Sequence, residues 1–482
     1  MPSLPGTLVT GPRRQARALP DSEEPEVAGP TGSNPAQKRK GRALDTFTAA
    51  GAAQLGGPEW LQQRRARAFA DFEVLPLPSE KEELWRYTPI DELELGGYRP
   101  AAGPAGDPIA ELMADAFLND LSEELGERSA LVVVRNGAPV SFVRTGLPEP
   151  VSLGGLAIAS GETILGSVVG DGDSLVRLND AFVPDAVVVD VPPGVLVEEP
   201  IVIVHWCDGE VAGAEGAPAS FPRTVVRVGR DAQASVVEVV AGAPGSVRAL
   251  VLPVTELIVE DAGVLSYVSL QVLGTGAWHL ARLSGQAGRD ARLRVFTVGL
   301  GGAYDRSRTD CVLLGQGGSS ELRSAYLGTR DQIHDIRTLQ DHAAPQTTSS
   351  LLCKGAVAGT SRSVYSGLIR VRNGAVRTEA MQTNHNLVLD ERAHADSVPN
   401  LEIEENDVRC SHASTVGPVD EDQLYYLESR GVPPERAEEL IVLGFFDDII
   451  DRSPIGSVAG RLRREVRIRL AEALGIGADA NG

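Results

Sequence analysis

The pattern of hydrophobic and polar positions divides the chain into four regions. Residues 1–45 mix proline, glycine, serine and charges of both signs without periodicity, which is typical of a disordered tail. From 46 to 130, apolar residues recur at helical spacing, as in the run EWLQQRRARAFADF that follows Pro58. A second helix is expected over Asp107 to Leu125. These features predict a helical N-terminal region.

Residues 131–417 carry valine-rich alternation broken by glycine, asparagine, aspartate and proline, which predicts a long β core. The dipeptide Asn136-Gly137 predicts a tight hairpin at its start. Asp-Ala pairs recur at Asp231, Asp261 and Asp290, at steps of about 30 residues between alternating apolar runs. A fixed step of this size indicates stacked coils, so a β-helix is favoured over a sandwich. Chance recurrence of a common dipeptide is the alternative.

In residues 418–482, apolar residues again recur at helical spacing. Asp420 opens a sequence that resembles a capping box, and Gly431 is placed to end that helix. Pro433 begins a second helix, and a third is predicted from about Ser457 to Leu474, where arginines alternate with apolar residues. This last helix either packs within its own domain or presents a docking surface for a partner.

One thiol and one imidazole lie two residues apart at the end of an alternating strand. The period of a strand places Cys410 and His412 on the same face, with their Cβ atoms roughly 7 Å apart. Both are ligands for soft metals, but two donors leave a tetrahedral site half empty. A metal or cluster here therefore needs ligands from distant residues or from another chain. The alternative is that Cys410 is a small buried hydrophobe and His412 a hydrogen-bonded residue at the strand end.

Composition narrows the functional classes. The 482 residues carry a formal net charge of -21, which argues against general binding of nucleic acid or of anionic membranes. Four scattered cysteines do not form a disulfide framework, and the sequence shows neither a signal peptide nor a spanning segment. We therefore expect a cytoplasmic protein.

The sequence motifs of common enzyme classes are missing from this chain. The sequence has no GxxxxGK[ST] motif, and its glycine clusters lack the GxGxxG spacing, so we expect no nucleotide to bind this chain. Solenoids that cleave sugars need acids and bases clustered on one face. Glu402, Glu404 and Asp407 could supply them, but they alternate with apolar residues as in a solvated strand face. An enzyme that acts on polysaccharides stays as an alternative function, as does a stand-alone structural solenoid that binds metal.

Several longer segments resemble a known family. The run LEIEENDVRCSHASTVG, followed by DEDQLYYLESRGV, is similar to the C-terminal signature of the SufB/SufD family of iron-sulfur cluster assembly proteins. HAAPQTTSSLLCKGAV, TEAMQTNHNLVLD and EELWRYTPI also match, so the resemblance covers about Pro58 to the C-terminus. Within the family, Cys410 to His412 and Trp85 to Thr88 resemble SufD. Asn384 stands where SufB has a cysteine, and Ala413 where SufD commonly has glycine.

The resemblance implies a mainly β fold, a right-handed parallel β-helix flanked by helical domains. It implies a SufD-like scaffold subunit without catalytic residues of its own. The chain would pair with SufB through the β-helix core and hold the ATPase SufC on its C-terminal helices. A transient iron-sulfur cluster, shared with the partner, would then use Cys410 and His412, and SufB would supply the missing donors.

Overall fold

The computed structural model describes residues 35–101, 124–158, 161–170, 172–207, 216–242 and 245–475. The N-terminal elements are the helices α1 (Pro35–Thr46), α2 (Ala49–Ala53) and α3 (Glu59–Val74), followed by three short 3-10 helices between residues 83 and 97. Helix α3 confirms the helix predicted after Pro58. The helix expected over Asp107 to Leu125 falls largely outside the described residues.

Helix α1 corrects the predicted tail. It begins at Pro35, so the boundary at residue 45 lies inside a helix. Packing explains this, because Phe47 at the end of α1 is fully buried and its ring centroid lies 5.3 Å from that of Phe182. The tertiary contact supplies the stabilisation that the local sequence pattern lacks.

Most of the remaining chain forms strands. Those before residue 252 are β1 (Tyr98–Pro100), β2 (Ala130–Arg135), β3 (Ala138–Arg144), β4 (Ser152–Gly154), β5 (Val187–Val191), β6 (Ile201–Cys207), β7 (Ala217–Ser220), β8 (Arg223–Val228), β9 (Gln233–Gly242) and β10 (Ala249–Val251). Those after it are β11 (Val254–Val259), β12 (Val264–Gln271), β13 (Ala277–Ala287), β14 (Arg292–Gly299), β15 (Tyr304–Leu313), β16 (Ser319–Gly328), β17 (Ile333–His342), β18 (Thr348–Val357), β19 (Arg362–Val371), β20 (Thr378–Val388), β21 (His394–Ile403) and β22 (Val408–Gly417).

The strands form two sheets, and from β11 onward successive strands alternate between them. The first sheet has the order β21-β19-β17-β15-β13-β11-β8-β5-β4, and the second has the order β22-β20-β18-β16-β14-β12-β9-β6-β2-β3. Pairing is parallel from β5 to β22, which confirms the predicted β-helix and excludes an antiparallel sandwich. The hairpin at Asn136-Gly137 is also confirmed, since β2 and β3 pair antiparallel and both turn residues have positive φ.

The Asp-Ala repeat marks the corner between the two sheets. Asp231 and Asp290 have φ of 57° and 56°, and in the middle copy the equivalent position is Ala262, with φ of 55°. Each of these residues donates its backbone N–H to a carbonyl of the next coil, at 2.7 to 3.1 Å. The repeat therefore identified the coil length, although its middle copy is displaced by one residue.

Side chains pack in three layers. The lumen, which is the space between the two sheets, holds one apolar cluster that includes Val189, Val236 and Leu283. The outer face of the first sheet packs against the N-terminal helices, around Phe72 and Phe182.

Two helices interrupt the predicted β core, α4 (Gly161–Ile164) and α5 (Ser174–Phe182).

The C-terminal helices cover the outer face of the second sheet. They are α6 (Glu421–Ser429), α7 (Pro434–Ile450) and α8 (Ala459–Leu474), close to the three predicted helices. Asp420 caps α6 by accepting from the Gln423 backbone N–H at 3.0 Å. Phe446 and Leu462 are buried in one cluster with strand residues such as Val268. Among the described residues, no helix is long and apolar enough to cross a membrane.

Candidate functional site at the open end of the solenoid

Cys410 and His412 lie on β22, the last strand of the second sheet. β22 pairs with β20 on one side only, and β21 ends the first sheet in the same way. None of the residues of β22 is buried, whereas β18, two strands inward, is mostly buried. The two residues therefore lie where the stack of coils ends and two strand edges are left without a neighbouring strand in the described part of the chain.

The strand register confirms that Cys410 and His412 share a face. Cys410 lies opposite Ala380 and His412 opposite Gln382, so both point toward the lumen side of the sheet. Their environments differ. Cys410 is half-buried against the apolar cluster that includes Ile369 and Val371. His412 is exposed and makes no hydrogen bond to a described residue.

Cys410 and His412 carry a thiol and an imidazole, two side-chain groups that can ligate a metal. Partial burial raises the pKa of the Cys410 thiol above its ordinary value, so this thiol is protonated near neutral pH. An imidazole ligates a metal in its neutral form. Within the described ranges, no group of three or more His, Cys, Asp and Glu side chains could hold a metal ion. Two donors by themselves do not complete a tetrahedral metal site.

The other three cysteines are unsuited to this role. Cys207, Cys311 and Cys353 are buried, and only Cys410 is partly accessible. Burial raises the pKa of Cys353 to about 12 and raises the pKa of Cys311 further above its ordinary value. Inert thiols of this kind behave as small core residues.

A group of polar residues lies beside the site, and sequence reasoning singled out only Asn384 among them. The Asn384 Oδ1 atom accepts hydrogen bonds from Asn386 Nδ2 at 2.8 Å and from Ser397 Oγ at 2.7 Å. Ser414 Oγ donates to Ser397 Oγ at 2.6 Å, which connects β22 to β21 across the lumen. Gln382 is 1% exposed, although it faces His412. The polar residues at every second position in QTNHN were the available signal.

The C-terminal helices present an exposed aromatic surface near this end. Helix α6 has no buried residue, and Tyr425 and Tyr426 are 73% and 57% exposed. Helix α7 is fixed to the solenoid by Lys354 of β18, whose Nζ atom donates to the Phe445 carbonyl at 3.0 Å and lies 2.6 Å from Asp448. The helical domain is therefore anchored through α7, while α6 packs on the apolar cluster through the partly buried Leu424 and leaves its two tyrosines exposed.

The segment Trp85 to Thr88 lies at the opposite face of the molecule. Arg306 of β15 lies over the Trp85 ring, 3.8 Å from its centroid, and donates to the Leu84 carbonyl at 2.7 Å. Arg337 of β17 donates to the Arg86 carbonyl at 2.7 Å. Two strands of the first sheet thus hold this segment in place.

Comparisons with known proteins match both halves of the molecule. Residues 211–445 match the family model described as "SUF system FeS cluster assembly, SufBD core domain", and residues 51–203 match "SufBD protein N-terminal region". A Mycobacterium tuberculosis protein described as an iron-sulfur cluster assembly SufBD family protein is 31% identical over 424 residues, covering 86% of this chain and 94% of the relative. The chain belongs to the SufB/SufD family.

Relatives of the SufB/SufD family that carry the name SufD are also similar. The iron-sulfur cluster assembly protein SufD of Escherichia coli is 27% identical over 375 residues, which is 78% of this chain and 85% of that protein. SufD of Bacillus subtilis is 26% identical over 430 residues, which is 84% of this chain and 93% of that protein. The residues that match the family models include the Trp85 segment, β22 and α6. The family resemblance therefore extends over parts of both helical regions and over the open end of the solenoid.

Proposed function

We propose that this chain is the SufD-like scaffold subunit of a cytoplasmic SUF assembly complex. It pairs with a SufB-like chain through the open end of the solenoid and holds a SufC-like ATPase on its C-terminal helices. It catalyses no reaction by itself and binds no nucleotide. The observation that carries the proposal is the pair of donors, Cys410 and His412, on a strand edge to which no other strand among the described residues pairs.

The exposed edges support pairing with a second β-solenoid. A strand edge presents unpaired N–H and C=O groups, and these bind another strand by extending the sheet. Both sheets end at the same end of the stack, at β21 and β22, so a partner solenoid can continue both at once. Such a partner also brings its own side chains next to Cys410 and His412, which supplies the ligands that this chain lacks.

The exposed helix α6 supports docking of the ATPase. Tyrosine is enriched among residues that dominate the energy of protein interfaces, because its ring buries a large area and its hydroxyl keeps a hydrogen bond. Tyr425 and Tyr426 are adjacent and exposed. A deletion of everything after Gly417 would also remove α7 and α8, which cover the apolar outer face of the second sheet. Substitutions on α6 therefore test docking more cleanly than truncation.

We expect His412 to contribute more than Cys410 to cluster assembly. An imidazole ligates a metal in its neutral form, whereas the half-buried thiol must lose a proton first. His412→Ala in the complex with SufB-like and SufC-like chains should lower the iron and acid-labile sulfide bound per complex. Its thermal stability should stay within the range of surface substitutions, about ±0.5 kcal/mol, because the side chain is exposed.

Ser411→Ala is the matched control, since Ser411 is the exposed neighbour on the opposite face of β22. Iron and sulfide should be unchanged in this variant. An equal loss in both variants would indicate a defect in strand pairing, and undiminished iron in His412→Ala would remove His412 from the site.

Docking of the ATPase is tested separately. The double variant Tyr425→Ala and Tyr426→Ala should weaken binding of the SufC-like chain at least tenfold, as loss of two interface tyrosines does when each costs more than about 1 kcal/mol. Pairing with the SufB-like chain should be retained. Val74→Ala, an 81% exposed apolar residue at the end of α3, is the control and should leave both interactions intact. Unchanged affinity of the double variant would place the ATPase elsewhere.

A further inference from the structure

One row of facing residues on the second sheet changes character at the open end of the solenoid. Val295, Leu322 and Leu351 lie opposite one another on β14, β16 and β18, and all three belong to the apolar cluster of the lumen. The next two positions of the same row are Gln382 on β20 and His412 on β22. The row is therefore apolar in these inner coils and becomes polar in the last two.

Gln382 is buried without a hydrogen bond. The residue is 1% exposed, and neither its Oε1 atom nor its Nε2 atom has a partner in the described part of the chain. Buried polar groups in native proteins are almost always paired. Leu351, one coil further in, shows that the lumen accepts an apolar side chain at this position of the row. Stability therefore does not explain the amide, because an unpaired buried amide is less favourable than an apolar side chain of similar size.

The surroundings of this amide favour one direction for a hydrogen bond. The amide lies against Gly367 of β19, where an added Cβ atom would be 2.7 Å from both Oε1 and Nε2. Opposite Gly367 in the last coil is Pro399, whose ring carries no hydrogen-bonding group. Within its own row, Gln382 has the apolar Leu351 on one side and His412 on the other. Of these neighbours, His412 is the one whose side chain can form a hydrogen bond.

Other polar side chains at this end of the lumen already have partners. Ser397 Oγ donates to Asn384 Oδ1 at 2.7 Å. The Tyr365 hydroxyl is 3.4 Å from Thr338 Oγ1. His412, in contrast, is exposed and makes no hydrogen bond to a described residue. The buried amide and the exposed imidazole therefore lie on neighbouring strands, and each is without a partner among the described residues.

We propose that Gln382 is the positioning residue of His412. Its Oε1 atom accepts the ring N–H of the imidazole, which fixes both the tautomer and the orientation of the ring. Neighbouring strands lie about 4.8 Å apart, so rotation about the side-chain bonds of the exposed His412 brings its ring to the amide.

This hydrogen bond prepares His412 to bind a metal. The nitrogen that does not bind Gln382 keeps its lone pair and is available to a metal. Histidines that bind metals almost always donate their other ring N–H to such an acceptor. The choice of Oε1 over Nε2 rests on the proposed function, because a ring that accepted from Nε2 would present an N–H group to the metal.

The hydrogen bond is tested in the isolated chain, which requires neither partners nor iron. The histidine rings are labelled with ¹⁵N, and the signals of His412 are assigned by their loss in His412→Gln. At about pH 8, above the ordinary pKa of a histidine, the ring nitrogen shifts of the wild type should show one dominant tautomer. Gln382→Met keeps the length of the side chain and removes both amide atoms, so the two tautomers should become mixed, as in a free imidazole.

Thr383→Val is the matched control, because Thr383 follows Gln382 on β20 and points to the opposite face of the sheet. This variant should keep the wild-type tautomer. A mixture in the wild type, or the same tautomer in the wild type and in Gln382→Met, would overturn the proposal. If Gln382→Met does not fold, Gln382→Leu replaces it, since leucine occupies the same row one coil further in.

The consequence for cluster assembly is measured in the complex with SufB-like and SufC-like chains. Loss of a residue that orients a metal ligand lowers metal affinity about 10–100-fold, so Gln382→Met should release iron to a chelator at a concentration at least about tenfold lower. Its thermal midpoint should not fall, because an apolar side chain replaces an unpaired buried amide. A lower midpoint with normal iron affinity in the intact complex would show a merely structural glutamine and refute the proposal.

The two measurements also separate this proposal from the proposed function. A tautomer that changes in Gln382→Met while the iron affinity stays the same would confirm the hydrogen bond and refute ligation of iron by His412.

Discussion

Asp335 is the residue whose replacement most directly tests how the N-terminal segment is held. It is 0% exposed and accepts from Arg337 Nε at 2.5 Å, from the Tyr304 hydroxyl at 3.1 Å and from Arg306. The two arginines then donate to the carbonyls of Leu84 and Arg86. One buried carboxylate therefore orients both side chains that fix the Trp85 segment to the first sheet.

Asp335→Asn keeps the size of the side chain and removes its charge. Arg306 and Arg337 are 3% and 6% exposed, so two buried guanidinium groups would lose their shared counter-charge. Removing one partner of a buried ion pair costs about 3–5 kcal/mol, because the remaining charge stays desolvated. We expect a loss of that size in the free energy of unfolding. The Trp85 segment should also detach, since its arginine contacts lose their orientation.

Urea unfolding followed by circular dichroism measures the free energy, and trypsin cleavage after Arg86 in the native state reports detachment. Glu402→Gln is the control. Glu402 pairs with Arg370 at 3.1 Å with 45% of its side chain exposed, and loss of an exposed pair costs about 0–1 kcal/mol. If Asp335→Asn were no more destabilising than this control, or if trypsin left the segment intact, Asp335 would not be the residue that holds the Trp85 segment in place through the two arginines.

Two further predictions concern protonation. Burial lowers the pKa of His342 from 6.5 to about 4, so between these values the unfolded chain binds more protons than the folded one. The stability that neutral His342 contributes is fully present above pH 6.5 and is lost as the pH falls toward 4, by about 3 kcal/mol. His342→Gln should flatten urea stability across this window, and an unchanged slope would contradict the assignment. At pH 8, an aromatic disulfide reagent should label one thiol per native chain, and Cys410→Ser should abolish that labelling. Rapid reaction of a second thiol would show that Cys353 or another buried thiol is accessible.

Local sequence determined those features of this protein that depend on neighbouring residues. Asn136-Gly137 specified a hairpin because both positions need positive φ, and Asp420 specified a helix start because its carboxylate accepts from a free backbone N–H. The period of a strand placed Cys410 and His412 on one face, and the 30-residue step gave the coil length. Each of these follows from backbone geometry over a few residues or from a repeat within the chain.

Only the tertiary structure decided which faces are covered. Alternation shows that Gln382 and Asn384 share a face, but polar residues at alternate positions look like a solvated surface, whereas both are buried in the lumen. Asp335 joins two arginines to a segment about 250 residues earlier, and no local pattern encodes that contact. The different exposure of Cys410 and His412 likewise depends on tertiary contacts, since Cys410 packs against a cluster that includes Ile369 and Val371 of β19. Burial depends on elements from distant parts of the chain, whereas periodicity records only the direction in which each side chain points.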